Sequence, residues 1–373
     1  MKKEFSIYLD LTRFLAALAV VIYHSNMRNI IAEPLSWSGH GHAAVMVFFV
    51  LSGYVISYIT VARENNPIDY WSSRLSRFYS LALPVVLMAP LLDAVGESLA
   101  PQFYEGKTTH DLAWLRILTS LMFANEWWKQ SIMSFSNVPY WSLCYEMWYY
   151  VLFGIFAFTQ GRTRLLLAAG VMLLVGPKIL LLLPVWVLGV ALHRSDALAR
   201  LPEWKCWALF LASWPLYALF HHYQLSEWAS ATLKELVGPV WHREAAFSRY
   251  FLTDYLLALI IAANFVGFRG IAHRFAAPLR LAERPIRWVA SFTFSLYIFH
   301  QPLLQFYAAL INGDPRQPWF YSAVMAATFA TVVVLGYLLE RKRDGWRRAF
   351  HALLSSLTRA RWWPGATPGG ANA

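Results

Sequence analysis

The first apolar stretch of the chain carries three ionisable residues, Asp10, Arg13 and His24. Ionisable groups inside an apolar span are costly, so each is a candidate functional residue. On a helix, Arg13 and His24 fall within about 20° of one face and about 16 Å apart along the axis. Asp10 precedes Arg13 by three residues and is expected to pair with it. The alternative is structural: an Asp10–Arg13 ion pair near the inner interface and a solvated helix end at His24.

Two arginines, Arg74 and Arg77, lie at the start of a later apolar stretch. Their spacing of three places them on one helix face. The guanidinium group binds phosphate through a planar fork of donors, so the pair is a candidate site for a phosphate-bearing ligand. The alternative is that both simply anchor the helix at the cytoplasmic face.

A carboxylate, Glu146, follows Trp141 and Ser142 at the start of another apolar stretch. We expect Glu146 at about the depth of His24, where a carboxylate could orient and support a histidine base. Glu146 could also be a mere structural acceptor. Nothing around Cys144 indicates an activated thiol, and a small buried residue is the expected role.

A late apolar stretch contains Tyr297, His300 and Pro302. His300 is expected near mid-membrane, either as a second candidate base or as a buried residue that stabilises the packing of the bundle. Pro302 is expected to break the helix just beyond it.

Small and histidine residues mark the second apolar stretch. Ser52 and Gly53 would let helices approach closely. His40 and His42 stand at its start and are expected to be loop residues, since binding a metal would need partners from elsewhere. No metal site is predicted.

The elements that must position these residues follow from composition. Of the 373 residues, 58% are hydrophobic and only 14% are charged. These values disfavour one large soluble enzyme and intrinsic disorder, and indicate an all-α, polytopic bundle of transmembrane helices. A membrane-spanning helix needs about 20 apolar residues. By this criterion the sequence predicts about ten spans: roughly 5–25, 41–62, 74–94, 140–158, 164–176, 178–193, 205–223, 249–268, 287–311 and 319–340. The two short stretches between 164 and 193 could be a hairpin or one broken helix.

The basic residues indicate the orientation. With both termini in the cytoplasm, cytoplasmic segments carry 22 Lys and Arg against nine outside. This asymmetry fits the positive-inside rule, and the net charge of +11 needs no nucleic-acid partner. We predict a membrane domain over residues 1–345 and a partly disordered cytoplasmic tail over 346–373. Two cysteines cannot form a disulfide framework.

Taken together, these motifs resemble the acyltransferase 3 family of membrane acyltransferases, over about residues 5–345. The similarity rests on motifs that occur in order along the chain: Leu9 to Ala16 followed by His24, Phe48 to Gly53, Arg74 with Arg77, Trp141 to Leu143 with Glu146, and Tyr297 with His300.

The resemblance implies ten spans and the transfer of an acyl group, commonly acetyl, from cytoplasmic acyl-CoA to a hydroxyl of an extracytoplasmic glycan such as an exopolysaccharide or O-antigen. It implies His24 as the catalytic base or acyl carrier. Glu146 would support His24. Arg13, Arg74 and Arg77 would hold the co-substrate acetyl-CoA, and no bound cofactor is expected. Asp10, Ser52, Trp141, Ser142, Tyr297 and His300 are possible supporting residues. The expected location is the inner membrane of a bacterium. Some members carry a C-terminal SGNH domain, and we expect this membrane domain to act without one.

Other functions remain open from sequence. Asp10, Arg13, Glu146 and His300 could line the pathway of a transporter or flippase for a glycan or lipid intermediate, although no repeat of the kind common in transporters is visible. A glycosyltransferase using a lipid-linked sugar would need acidic residues in the first outer loop, where only Glu33 occurs. A scaffold without catalytic activity is disfavoured by the many buried ionisable groups.

Overall fold

The structure, a computed structural model, describes residues 1–104 and 111–359, apart from the side chains of Arg341 and Arg359. These residues form helices and connecting turns, without a β-strand in the described ranges. The α-helices are α1 (Lys3–Ser25), α2 (Gly41–Ala62), α3 (Pro67–Leu99), α4 (Ala113–Leu121), α5 (Trp141–Phe158), α6 (Gly161–Val175), α7 (Pro177–Arg194), α8 (Asp196–Ala199), α9 (Glu203–His222), α10 (Leu225–Val237), α11 (Pro239–Glu244), α12 (Phe251–Ile271), α13 (Ala276–Leu281), α14 (Glu283–Ser291), α15 (Thr293–Ile311), α16 (Pro318–Leu339) and α17 (Arg343–Arg359).

The predicted all-helical membrane bundle is confirmed. Six helical segments in the described ranges are long and apolar enough to cross a membrane: Lys3–Ser25, Gly41–Ala62, Pro67–Leu99, Pro177–Arg194, Ala246–Leu281 and Pro318–Leu339. The count of ten spans and the cytoplasmic termini stay predictions.

Two helix boundaries differ from the expectation. The two short stretches predicted at 164–176 and 178–193 form the separate helices α6 and α7, and Gly176 between them has a positive φ of 79° that favours glycine. The stretch predicted over 287–311 divides at Phe292 into α14 and α15. Pro302 does not end α15, which continues to Ile311.

Helix α2 packs closely against α7. Gly53 of α2 lies against the carbonyl oxygen of Trp186, and Gly189 of α7 lies against the carbonyl oxygen of Val50. A Cβ at either glycine would clash with the facing backbone. The prediction that small residues let α2 approach a neighbour is therefore confirmed at Gly53.

The C-terminal segment is helical where it is described. Helix α17 follows α16 and packs against α3. The predicted tail over 346–373 therefore begins as an ordered helix, and its part beyond Arg359 lies outside the described residues.

Candidate functional site

The site comprises two cavities that share one wall. The arginine cavity has a volume of about 460 Å³ and is lined by Arg13, Arg74, Arg77 and Arg343. The histidine cavity has a volume of about 450 Å³ and is lined by His24, His42 and His221.

The two cavities follow one another along the same helices. Helix α1 contributes Arg13 to the arginine cavity and His24 to the histidine cavity. Eleven residues of helix separate these positions by about 16 Å. Helix α2 contributes His42 to the histidine cavity and Ser52 to the arginine cavity. The cavities therefore lie at different depths of the bundle.

Tyr297 separates the cavities, since it alone among the described residues lines both. Its hydroxyl lies 2.6 Å from that of Ser142 and donates to the carbonyl oxygen of Pro139 at 3.3 Å. Trp141 and Ser142 are consecutive in the chain yet face opposite cavities, with Trp141 stacked on Phe247 at 4.4 Å between ring centres. The first turn of α5 and the second turn of α15 thus form the shared wall.

Arg13 lies in the arginine cavity and forms the predicted ion pair. Its Nη2 is 3.1 Å from Oδ1 of Asp10 and also donates to the carbonyl oxygen of Ala290. The second oxygen of Asp10 accepts from Arg287 at 2.8 Å. Arg13 Nε is buried without a hydrogen-bond partner among the described residues, so the guanidinium keeps one unused donor.

Arg74 and Arg77 both line the arginine cavity, but their surroundings differ. Nη2 of Arg74 lies 2.7 Å from Oε2 of Glu64, and both side chains are almost fully buried. Arg77 has no ion-pair partner among the described residues and lies over the ring of Phe294 at 5.4 Å. The charge of Arg74 is therefore compensated inside the protein, whereas that of Arg77 is available to a ligand.

Arg343 extends the basic cluster from the C-terminal helix. Partial burial and the nearby charges of Arg77 and Arg74 lower the pKa of Arg343 to about 10. The lining carboxylate of Glu340 is held by the backbone and hydroxyl of Ser295, and burial raises the pKa of Glu340. Because the arginine charges repel one another, the binding of an anion in this cavity would be favourable.

Glu146 lies in the arginine cavity. Its Oε1 accepts from Ser52 at 2.5 Å and from Tyr150 at 2.6 Å. His24 lines the other cavity, so the predicted contact between Glu146 and His24 is not formed. The prediction rested on residue counts from each helix end, and such a count does not show which neighbouring helices a side chain faces.

The neighbour of His24 is His300. Nδ1 of His24 lies 3.0 Å from the carbonyl oxygen of Val20 and 3.1 Å from Nε2 of His300, and Nδ1 of His300 lies 2.9 Å from the carbonyl oxygen of Leu296. Carbonyl oxygens only accept, so both Nδ1 atoms carry protons when the rings are neutral. Nε2 of His24 therefore bears a lone pair and has no partner among the described residues. The two candidate bases of the sequence form one unit, with fully buried His300 fixing the tautomer of His24.

Sequence reasoning gave His42 the wrong place and missed Asp254 and Arg343. His42 is not a loop residue but the second residue of α2, paired with Asp254 at 2.8 Å. Asp254 lies inside an apolar span and could have been found by the rule that singled out Asp10. Arg343 follows the last span and looked like an ordinary basic anchor. No group of three or more metal-ligating side chains occurs within the described ranges.

Comparison with known proteins assigns the family. A family described as "acyltransferase domain" matches residues 6–341 of the chain. The chain belongs to the acyltransferase 3 family. The resemblance inferred from the motifs is thereby confirmed.

Curated relatives of this acyltransferase 3 chain are longer proteins. The peptidoglycan O-acetyltransferase OatA of Listeria monocytogenes is 21% identical over 86% of this chain and 53% of its own length. YrhL of Bacillus subtilis is 24% identical over 79% of this chain and 48% of its own length. The acyltransferase MdmB of Streptomyces mycarofaciens is 30% identical over 38% of this chain and 36% of its own length. The chain thus spans about half or less of each, and no solved structure matches it.

Proposed function

We propose that this member of the acyltransferase 3 family transfers an acyl group, commonly acetyl, from acyl-CoA to a hydroxyl of an extracytoplasmic glycan. The observation that carries the proposal is the pairing of two cavities along the same helices, one rich in uncompensated arginine charge and one containing an unoccupied histidine lone pair. The relatives named as peptidoglycan O-acetyltransferases support a glycan acceptor.

The arginine cavity fits the donor. Acyl-CoA carries phosphates at one end and a thioester at the other, and it is made in the cytoplasm. Arg77 and Arg343 would bind the phosphates because neither forms an ion pair among the described residues, and Arg13 would add its free Nε. Glu146 would act within the same cavity, where its bonds to Ser52 and Tyr150 fix its position. This assignment places the arginine cavity on the cytoplasmic side.

The histidine cavity fits the acceptor. Glu227 and Arg249 line it and would bind sugar hydroxyls, and Trp141, buried and stacked on Phe247, forms part of its wall. Nε2 of His24 supplies the lone pair that the reaction needs, either to take a hydroxyl proton or to accept the acyl group. We place this cavity on the outer face of a bacterial inner membrane.

The test is acyl transfer by the purified full chain in lipid nanodiscs. Labelled acetyl-CoA is supplied with soluble peptidoglycan fragments, an exopolysaccharide or an O-antigen polysaccharide, and label on the glycan is measured. His24→Gln is expected to abolish transfer, because a positioned histidine contributes about 10²–10⁴-fold in rate. His222→Gln is the matched control, since His222 is exposed at the end of α9. Full activity of His24→Gln protein would refute the proposal.

A further inference from the structure

A second imidazole faces the histidine cavity and has a carboxylate behind it. Nε2 of His42 lies 2.8 Å from Oδ1 of Asp254. The side chain of His42 is 28% exposed, whereas that of Asp254 is fully buried. A carboxylate accepts, so Nε2 carries the proton and Nδ1 of the neutral ring has a lone pair. A carboxylate placed in this way holds the tautomer and stabilises the imidazolium that forms when the ring takes a proton.

His24 and His42 come from adjacent points of two helices. Gly41, which precedes His42, lies against the ring of Tyr23, which precedes His24, so closely that a Cβ would clash. Both histidines line the same cavity. The other charged groups that line this cavity are Glu227 and Arg249, and both contact the hydroxyl of Tyr250, at 3.2 and 3.0 Å.

The two histidines are supported differently. His24 contacts a second neutral imidazole, His300, and has no carboxylate partner among the described residues. Such a ring can act as a nucleophile, but an imidazole acylated on Nε2 can no longer take a proton there. A transfer that passes through His24 therefore needs another base for the acceptor hydroxyl.

We propose that His42, oriented by Asp254, is that base, and that His24 carries the acyl group. This inference rests on the proposed function. Asp254 is a positioning residue, because it reaches the substrate only through His42.

The steps balance as follows. Nε2 of His24 attacks the thioester carbon, a C–N bond forms, and the C–S bond breaks with its electron pair on sulfur. The Nδ1 proton of His24 passes to Nε2 of His300. The acceptor hydroxyl then attacks the acyl carbon while its proton passes to Nδ1 of His42. The new C–O bond forms as the C–N bond breaks, and the electron pair of the C–N bond returns to Nε2 of His24. His300 returns the proton to Nδ1 of His24. His42 releases its proton to water, and the thiolate takes one on leaving.

The experiment separates the two halves of this reaction. Full-length protein in nanodiscs is mixed with acetyl-CoA, and free thiol is followed through the first turnover. Acetyl transfer is then measured to soluble peptidoglycan fragments and, separately, to hydroxylamine. Hydroxylamine attacks an acyl-imidazole without prior removal of a proton, so it does not need the base.

His42→Gln is expected to keep the thiol burst and the transfer to hydroxylamine, while transfer to the glycan hydroxyl falls by about 10²–10⁴-fold. Asp254→Asn should show the same split with a smaller loss. His40→Gln is the matched control and should resemble the parent protein, because His40 bonds to Tyr217 and does not line the cavity.

Either of two results would overturn the inference: parent-like glycan transfer by His42→Gln protein, or equal losses with hydroxylamine and glycan in folded protein. Should His42→Gln protein fail to fold, Asp254→Asn, which keeps the side-chain shape, decides by the same split. Glycan transfer by His24→Gln protein tests the proposed function separately, and full transfer there would refute that function whatever His42→Gln does. A thiol burst that persists in His24→Gln protein would instead overturn the assignment of His24 as the acyl carrier.

Discussion

The unequal surroundings of Arg74 and Arg77 lead to a prediction that the sequence alone could not make. Arg77→Ala should weaken acetyl-CoA binding, because Arg77 has a free charge in the arginine cavity. Loss of one charge-assisted hydrogen bond costs roughly 1.5–3 kcal/mol, which corresponds to about a 10- to 150-fold rise in Kd. The stability of the protein should change less than in an Arg74 variant, since Arg77 forms no ion pair among the described residues and only faces Glu146 and Glu340 across the cavity.

Arg74→Ala should behave in the opposite way. The substitution leaves Glu64 buried at 4% exposure without its partner, and removing one member of a buried pair typically destabilises by about 3–5 kcal/mol. The double variant Glu64→Gln/Arg74→Gln removes both charges and should recover most of this stability.

The assays are calorimetric titration of acetyl-CoA and thermal unfolding of each variant in the same detergent. The reasoning fails if Arg77→Ala binds within about twofold of the parent Kd, a difference below 0.5 kcal/mol. It fails equally if the stable double variant loses donor affinity as strongly as Arg77→Ala, since Arg74 would then bind the donor as well.

Three further predictions concern the rest of the site. His300→Phe keeps the volume but removes the acceptor for the His24 proton, so glycan acetylation should fall at least about tenfold with donor Kd unchanged; unchanged transfer would make His300 only a packing residue. Glu146→Gln should alter the kinetics of the donor reaction and leave the acceptor KM unaffected, and a changed acceptor KM would restore the predicted link to His24. Reporter fusions after Gly161 and after Gly238 should report opposite sides of the membrane, and equal readings would contradict the predicted orientation.

The sequence predicted what depends on local spacing. Helical spans, the Asp10–Arg13 pair and the close approach at Gly53 each follow from residues within one helix or from a strong packing rule. The partners across the bundle could not be predicted. Glu146 was assigned to His24 by depth, yet its carboxylate accepts hydrogen bonds from Ser52 and Tyr150 instead.

The same limit explains the residues that were missed. Asp254 and His42 are 212 positions apart, and nothing local in either segment indicates the other. Glu64 lies in a short connection before α3, where its burial against Arg74 depends on the packed bundle. A rule that treats every ionisable residue in an apolar span as functional would still have singled out Asp254.

The wall formed by Tyr297 has an electrical consequence. If only the acyl group passes this wall, the proton lost by the acceptor enters water on one side of the bilayer, and the proton gained by the thiolate is taken from water on the other side. Each turnover then moves one elementary charge across the membrane, equivalent to about 2.3 kcal/mol for every 100 mV of potential. Acylation by this protein would consequently respond to membrane voltage, and its rate in sealed vesicles would depend on the sign of an imposed potential.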